Sequence, residues 1–573
     1  MTEDQATKST TSRLPGFFTA NRVPRLLGNL TYLIGLLDLL TGLLHSWRVR
    51  LHNLTEVLPG ALSAAAAAAT VVSGILLIVL GHSLKRRKIR AWRAATALLA
   101  ISAGLHLVKF EPVAATMACA GLTLLLLYRN EFRALGDPST RWRAVRAGAV
   151  LFAVSVVAGG SVLWLNRHDI RGGWPGVTPV AEEILFGLVG ANGPLTFTRD
   201  RAGDIVGSLL LGLGLMTILT TVYLALRPPE PRPELTDADA TRLRQLMARH
   251  ADSLAYFNTR RDKSVIWSPT GKSAIAYRVV SGVMLASGDP LGDPEAWPGS
   301  IKAFLEEAAA HAWTPAVLGC SEQAGTRWVR ETGFAALELG DEAVVQTAHF
   351  SLEGRPMRNV RQMVGRIARA GYAVEVCRVR DVPQSVRDRA MRDAAAWRST
   401  DTERGFSMAL GRLLDESDPD CVFVAARHDG IVRAFLQFVP WGTDGMSLDV
   451  MRRDSTADAG VNELMIVEAL KAAPDLGVER VSLNFAAFRS ALERGEKLGA
   501  GPVLRVWRRI LLLASRWLQI ESLYRFNAKF QPTWQPRFLV YPTASDLPRV
   551  GLAALEAEAF LAWPRLGRLG GAR

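Results

Sequence analysis

The stretch from Met446 to Met465, MSLDVMRRDSTADAGVNELM, places an acid and two arginines where an apolar run ends, then one glycine, then a helix-forming segment. Charge is costly to bury without a partner. Asp449, Arg452 and Arg453 therefore either hold each other or face something that enters from outside. A carboxylate can orient or deprotonate a hydroxyl, and an arginine can grip a phosphate with two donors. A buried Asp–Arg pair pinning the loop is the plain alternative. Positions three apart face opposite sides of a regular strand. Asp449 and Arg452 would thus share a site only if the strand ends near Met451, which the cluster Asp454-Ser455-Thr456 favours. Glu463 falls in the first turn of the next helix, where the helix dipole favours an acid whatever its role. Asn484 ends the following strand in SLNFAAF.

Metal chemistry has no support in the spacing. The four cysteines, Cys119, Cys320, Cys377 and Cys421, form no CxxC or CxxH pattern, and the nine histidines form no HExxH pair. No cofactor is expected.

The elements that must position these residues lie in the second of two unlike halves. A chain of 573 residues is too long for one core. Its 49% hydrophobic and 21% charged content reads as a membrane part joined to a soluble part. Up to Pro228 there are 23 basic and 12 acidic residues, and beyond it 45 and 42. The net charge of +14 therefore sits mainly in loops around apolar segments, which is first a topology signal.

Six segments are apolar enough to suggest spans of about 20 residues: Leu26–Trp47, Leu58–His82, Ala91–Val108, Pro112–Tyr128, Ala144–Leu165 and Ile205–Leu226. Lys and Arg concentrate in the N-terminal tail, in KRRKIRAWR and in the loop from Arg129 to Arg146. That places alternate loops in the cytoplasm and 166–204 outside. The part from Arg227 onward is then cytosolic, at a plasma membrane. Asp38 inside the first span is either functional or paired within the bundle. The expected division is a tail over 1–25, a helical membrane domain over 26–228 and a proline-rich linker over 229–236. Two α/β units follow, 237–371 and 372–573, the second catalytic. Thr236 is expected to cap the first helix after the linker.

In the second unit the predicted order is a hairpin turning at Asp429-Gly430, a strand over Met446–Met451, a glycine-bearing turn, a helix over Val461–Ala473 and a strand over Arg480–Asn484. This is the core of a GNAT-like, acetyltransferase-like fold, so the fold class is a polytopic helical membrane domain followed by two tandem GNAT-like units. The usual acetyl-CoA loop, Gln/Arg-x-x-Gly-x-Gly/Ala, is reduced to RDSTADAGVNE with only Gly460, which argues against acyl-CoA chemistry.

From about Asp252 to Val550 the chain resembles the phosphatidylglycerol lysyltransferases. The resemblance is carried by YFNTRRDKSVIWSPTGKSAIAYRV, ASGDPLGDPEAWP, ALELGDEAVV, FSLEGRPMRNVRQ, TERGFSMALGRL, SLDVMRR, SLNFAAF and YRFNAKFQPTWQPRFLVYP. It is nearest to the membrane-plus-transferase part of actinobacterial proteins fused to a lysyl-tRNA synthetase, with the synthetase expected to be absent here.

The resemblance implies transfer of an aminoacyl group, lysyl by expectation with alanyl or ornithyl left open, from aminoacyl-tRNA to a glycerol hydroxyl of phosphatidylglycerol in the bilayer. It implies that Asp449 orients the hydroxyl or the aminoacyl amine and that Arg452 holds phosphate. Asn484 would donate to an oxyanion, and Glu463 joins the catalytic set. Lys529 would hold the lipid phosphate, with Arg525 and Glu521 as weaker candidates and Tyr524, Asn527 and Arg404 nearby. Arg358, Arg361, Arg366 and Arg369 could track tRNA phosphates, although a solvated helix face fits them equally. Arg505, Arg508, Arg509 and Arg516 border an apolar surface that suits a membrane interface or, equally, a core helix with snorkelling arginines. Two rivals stay open: a lipid translocator or scaffold with a degenerate transferase module, and a membrane-tethered acyl-CoA N-acyltransferase.

Overall fold

The computed structural model describes residues 22–51, 60–85, 87–108, 112–132, 139–191, 193–226, 231, 233, 235–248, 252–397, 405–487 and 520–561. The chain forms two compact units that divide after residue 229.

The first unit is helical: α1 (Arg22–Leu51), α2 (Gly60–Leu84), α3 (Ile89–Val108), α4 (Pro112–Leu127), α5 (Ser139–Leu165), α6 (Val177–Leu188) and α7 (Asp200–Leu226). Among the described residues, three helices carry stretches long and apolar enough to cross a membrane: Val23–Leu40, Val145–Leu165 and Ala202–Val222. Thr70–Gly81 and Pro112–Leu127 are shorter apolar helices. Helix α6 lies inside the segment expected to run outside as a loop. It packs Ile184 and Leu188 against Leu163, Val206 and Leu210. Helices α1 and α2 touch backbone to backbone: a Cβ on Gly35 would stand 2.7 Å from the Gly74 carbonyl oxygen. Asp38 is buried and paired, accepting from Ser102 Oγ at 2.7 Å and meeting His106 Nε2 at 2.9 Å.

The second unit opens with α8 (Asp237–Met247), capped as expected by Thr236, whose hydroxyl accepts from Asp239 N at 3.1 Å. Its first half continues β1 (Ser264–Trp267), β2 (Ser273–Val280), β3 (Val283–Ser287), β4 (Leu291–Gly292), α9 (Trp297–Ala310), β5 (Thr314–Cys320), α10 (Glu322–Thr332) and β6 (Ala335–Gln346). The second half is α11 (Arg358–Arg369), β7 (Ala373–Arg378), α12 (Gln384–Ala396), β8 (Val422–His428), β9 (Ile431–Trp441), β10 (Gly445–Arg453), α13 (Val461–Ala472), β11 (Arg480–Ala487), α14 (Ile520–Ala528), β12 (Thr533–Tyr541) and α15 (Leu547–Ala557). Asp429 and Gly430 both take positive φ, 52° and 75°, so the β8–β9 hairpin turns where the Asp-Gly pair requires it.

All the strands among the described residues join one 12-stranded sheet in the order β1-β2-β3-β5-β12-β6-β11-β10-β9-β8-β7, with β4 on β2. Strand β12 from the C-terminal half lies between β5 and β6 of the first half. The hairpin, strand, helix, strand and helix of each half give the two tandem GNAT-like units. Beneath the second half, α11 and α13 pack Val360, Val364, Val461 and Leu464 against Met446, Leu448 and Leu436. The opposite face carries Phe257, Leu410, Phe435, Val439 and Val450.

Candidate functional site

Strand β10 does not end near Met451. It runs to Arg453, and a bulge brings Asp449 and Arg452 to one face instead. Leu448 pairs with Phe438 and Val450 with Gln437, so Asp449 is the extra residue. A bulge resets the alternation of side chains. Leu448 and Met451 face the α11–α13 core, whereas Val450 faces the opposite one. Asp449 points to the Val450 side, where its Oδ1 accepts from Leu410 N at 2.8 Å and its Oδ2 from Gln437 Nε2 at 2.7 Å. By alternation from Val450, Arg452 lies on that side as well. Its guanidinium donates to Met451 O at 3.1 Å. The exposed Arg453 donates to Asp458 O at 3.3 Å. The signal for a bulge was absent from the sequence, because Leu-Asp-Val-Met reads as ordinary alternation.

Asn484 marks the point where two parallel strands part. Strands β10 and β11 pair only from Gly445↔Arg480 to Ser447↔Ser482. Beyond that the Leu448 carbonyl has lost its strand partner, and Asn484 Nδ2 reaches across to it at 2.9 Å. The same nitrogen donates to Met408 O at 3.0 Å. Both amide hydrogens are thus engaged as a bracket, and the expected oxyanion donation would require releasing one. Asn484 takes φ 67°, a conformation asparagine tolerates better than most residues.

Glu463 and Lys529 come together, Oε1 to Nζ at 2.7 Å, with Glu463 buried and Lys529 part-exposed. Helix α13 packs on the face opposite Asp449, so these expected site residues fall into two groups: Asp449, Arg452 and Asn484 about the strand fork, and Glu463 with Lys529 on the other face. Arg525 is exposed on α14. Asn527 is buried and donates to Leu483 O at 3.3 Å, and Tyr524 stacks near Trp534. The Glu521 side chain, Arg404 and the segment holding Arg505, Arg508, Arg509 and Arg516 lie outside the described residues. Arg358, Arg361, Arg366 and Arg369 are all exposed on α11. Arg361 donates to Leu352 O and Arg366 to Ala459 O, at 2.5 and 2.6 Å.

The segment 405–414, singled out in the sequence only through the resemblance carried by TERGFSMALGRL, organises the fork. It supplies Met408 O to Asn484 and Leu410 N to Asp449. It is tied down by buried Glu558, which accepts from Phe406 N at 2.7 Å and Ser407 N at 2.9 Å. In the loop ahead of α13, where acetyl-CoA loops lie, Gly460 itself is buried against α11: a Cβ on it (φ 109°) would stand 2.6 Å from Met363 Cγ.

A second constellation lies in the first half. Buried Arg537 forks onto both oxygens of Asp252 at 2.8 Å, and its Nε donates to Glu342 at 2.9 Å. Asp289, one residue beyond the Gly288 that follows β3, accepts from Ser321 N and Oγ at 2.7 and 2.6 Å. Burial, then the charge of Asp252, push the Asp289 carboxyl up to about 7. Asp252, Asp289, Ser321, Trp297, Trp441 and Arg537 help line a cleft of about 540 Å³. Asp449 does not line it. Among the described residues no group of three or more His, Cys, Asp or Glu side chains could hold a metal ion. Burial pushes the thiols of Cys320 and Cys421 well up, against a thiolate role.

With this geometry in view, residues 244–541 match the family described as phosphatidylglycerol lysyltransferase, C-terminal. The chain belongs to that family. It is 44% identical over 465 residues to the lysylphosphatidylglycerol biosynthesis bifunctional protein LysX of Rhodococcus opacus, a span covering 80% of this chain and 41% of that protein. The LysX protein of Mycobacterium avium is 41% identical over 518 residues, covering 86% and 43%. The chain thus spans about two fifths of the length of these relatives. Among solved structures, L-PGS from Bacillus licheniformis superposes with a TM-score of 0.49 at 18% identity, over 58% of this chain and 99% of that one.

Proposed function

We propose that the chain is a membrane-embedded aminoacyltransferase that moves a lysyl group from lysyl-tRNA to a glycerol hydroxyl of phosphatidylglycerol. The observation that carries this reading is the family match over 244–541, with an acid held at the fork of β10 and β11. The reaction exchanges one ester for another, so it needs a proton acceptor for the hydroxyl and cations for phosphate, and no redox chemistry. Asp449 is the acceptor, part-exposed and held by two donors. Arg452 on the same face takes phosphate. Lys529 offers a second cation, in competition with Glu463. The arginines of α11 present an exposed basic face for the tRNA. The helices of the first unit are read as six spans, with the α/β unit in the cytoplasm. Lysine turns a headgroup of net −1 into one of net +1, which weakens attraction of cationic peptides to the membrane and gives resistance to them.

The test is lipid mass spectrometry of a bacterium lacking aminoacylated lipids, with and without this chain. The expected result is a phosphatidylglycerol species heavier by one lysyl residue, absent with Asp449→Ala. Good expression with no new species would overturn the reading. The buried Asp38–His106 contact favours one second reading, lipid translocation by the helical unit. An intramembrane acid of that kind is a functional position by default.

A further inference from the structure

Gln437 stands on β9 opposite the bulge and is 1% exposed. Every polar atom of its side chain is engaged. Oε1 accepts from Leu414 N at 2.8 Å, and Nε2 donates to Arg412 O at 3.0 Å and to Asp449 Oδ2 at 2.7 Å. The two backbone partners fix which way the amide points, because a backbone N–H needs the oxygen and a carbonyl needs the nitrogen. The group facing Asp449 is therefore always a donor. With Leu410 N on Oδ1, both carboxylate oxygens accept hydrogen bonds, an arrangement that favours the charged form and fixes the plane of the carboxylate.

We propose that Gln437 is a positioning residue for aminoacyl transfer, keeping Asp449 deprotonated and correctly turned toward the acceptor hydroxyl. The inference rests on the reading of Asp449 as proton acceptor. As the lipid hydroxyl oxygen bonds to the ester carbonyl carbon, its proton passes to Asp449. When the bond from that carbon to the ribose oxygen breaks, Asp449 returns the proton to the ribose oxygen, and no further reactant is consumed. Titratable groups around Asp449 among the described residues include Arg452 on its own strand, Arg412 and Asp418 on the segment packed over it, and Cys421. Arg412 and Asp418 satisfy each other, Nη2 to Oδ1 at 2.8 Å. The Cys421 thiol is pushed well up by burial, then by the charges of Asp418 and Asp449.

The experiment measures lysyl transfer from lysyl-tRNA to phosphatidylglycerol by the full chain in membranes across the pH range. Gln437→Glu keeps the acceptor for Leu414 N but sets a second carboxylate against Asp449, so the two share a proton. The acid limb of kcat/KM should move up by about one unit or more. At neutral pH kcat should fall about 10-fold while KM for the lipid changes little. Gln437→Met removes the donor without adding charge and should lower kcat with a smaller shift of the limb. The position of the limb does not depend on how much protein folds, so lost stability alone leaves it in place. Wild-type pH profiles in both variants, with Asp449→Ala inactive, would overturn the positioning role alone. An active Asp449→Ala variant would overturn the reading beneath it, and this inference with it.

Discussion

In the first half of the α/β unit, β3 and β5 stay paired from Val283↔Thr314 to Ser287↔Leu318, and Gly288 N still donates to Leu318 O at 2.8 Å. In the second half, β10 and β11 share only three pairs before they diverge. The topology is the same and the junction is opposite. Where the strands stay together, the acid that follows, Asp289, spends both oxygens on the residue after β5, Ser321. Where they part, the freed Leu448 carbonyl is taken by Asn484, and a bulge turns Asp449 to a part-exposed position beside the gap. One acid is spent within its own junction, and the other is held beside a junction that Asn484 and the 405–414 segment bridge.

The comparison can be broken most forcefully in the first half. Arg537→Met would leave Asp252 and Glu342 buried without their cation, a loss of about 3–5 kcal/mol, seen as a much lower unfolding temperature and little folded protein. Asp449→Ala should behave in the opposite way. Product formation should fall on the order of 100-fold or more, while the unfolding temperature moves far less than in Arg537→Met. If Asp449→Ala instead unfolds the protein and the survivors turn over normally, the two acids are alike and the contrast fails. Asn484→Gly sharpens the picture, because it keeps the left-handed backbone and deletes the bracket, together with the acceptor for Phe485 N. Loss of its hydrogen bonds to Leu448 O and Met408 O should cost about 1–3 kcal/mol. Hydrogen exchange should rise first at Leu410, whose amide is held by the same fork.

The sequence disclosed the ordered parts of this arrangement and missed the irregular ones, for a physical reason. The hairpin at Asp429-Gly430, the cap at Thr236 and the helix from Val461 follow from local turn and capping chemistry, so local residues report them. The bulge at Asp449 is set by how β9 and β10 register between Phe438↔Leu448 and Gln437↔Val450, and Leu-Asp-Val-Met carries no mark of it. The role of 405–414 depends on Glu558, more than a hundred residues later. Helix α6 was hidden by its polar flanks and short length. Among the site residues, Glu463 was legible as an acid in a first helical turn and Lys529 only through the resemblance, and nothing local says that they pair with each other.

The smallest expected effect separates two buried charges by pH. Asp289, held up at about 7 by burial and by Asp252, keeps a proton in the folded state that the unfolded chain releases from about pH 4 upward. The folded state then binds more protons, so this group makes stability fall as pH rises toward 7. Lys263 works in the reverse sense. It is fully buried, and burial lowers it to about 7, although its Nζ donates to Phe257 O and Ser287 Oγ at 2.9 and 2.8 Å. From about 7 upward the unfolded chain carries the extra proton, so this group makes stability rise with pH until the ordinary lysine range. Asp289→Asn should therefore flatten the fall on the acid side and leave the alkaline side alone, and Lys263→Met should do the converse. Unfolding temperatures measured from pH 4.5 to 9 would check both. If Asp289→Asn changes the alkaline limb as much as the acid one, Asp289 is titrating as part of a network that reaches Lys263. The junction at Asp289 would then be coupled, through Lys263, to the segment holding Phe406, and so to the junction at Asp449.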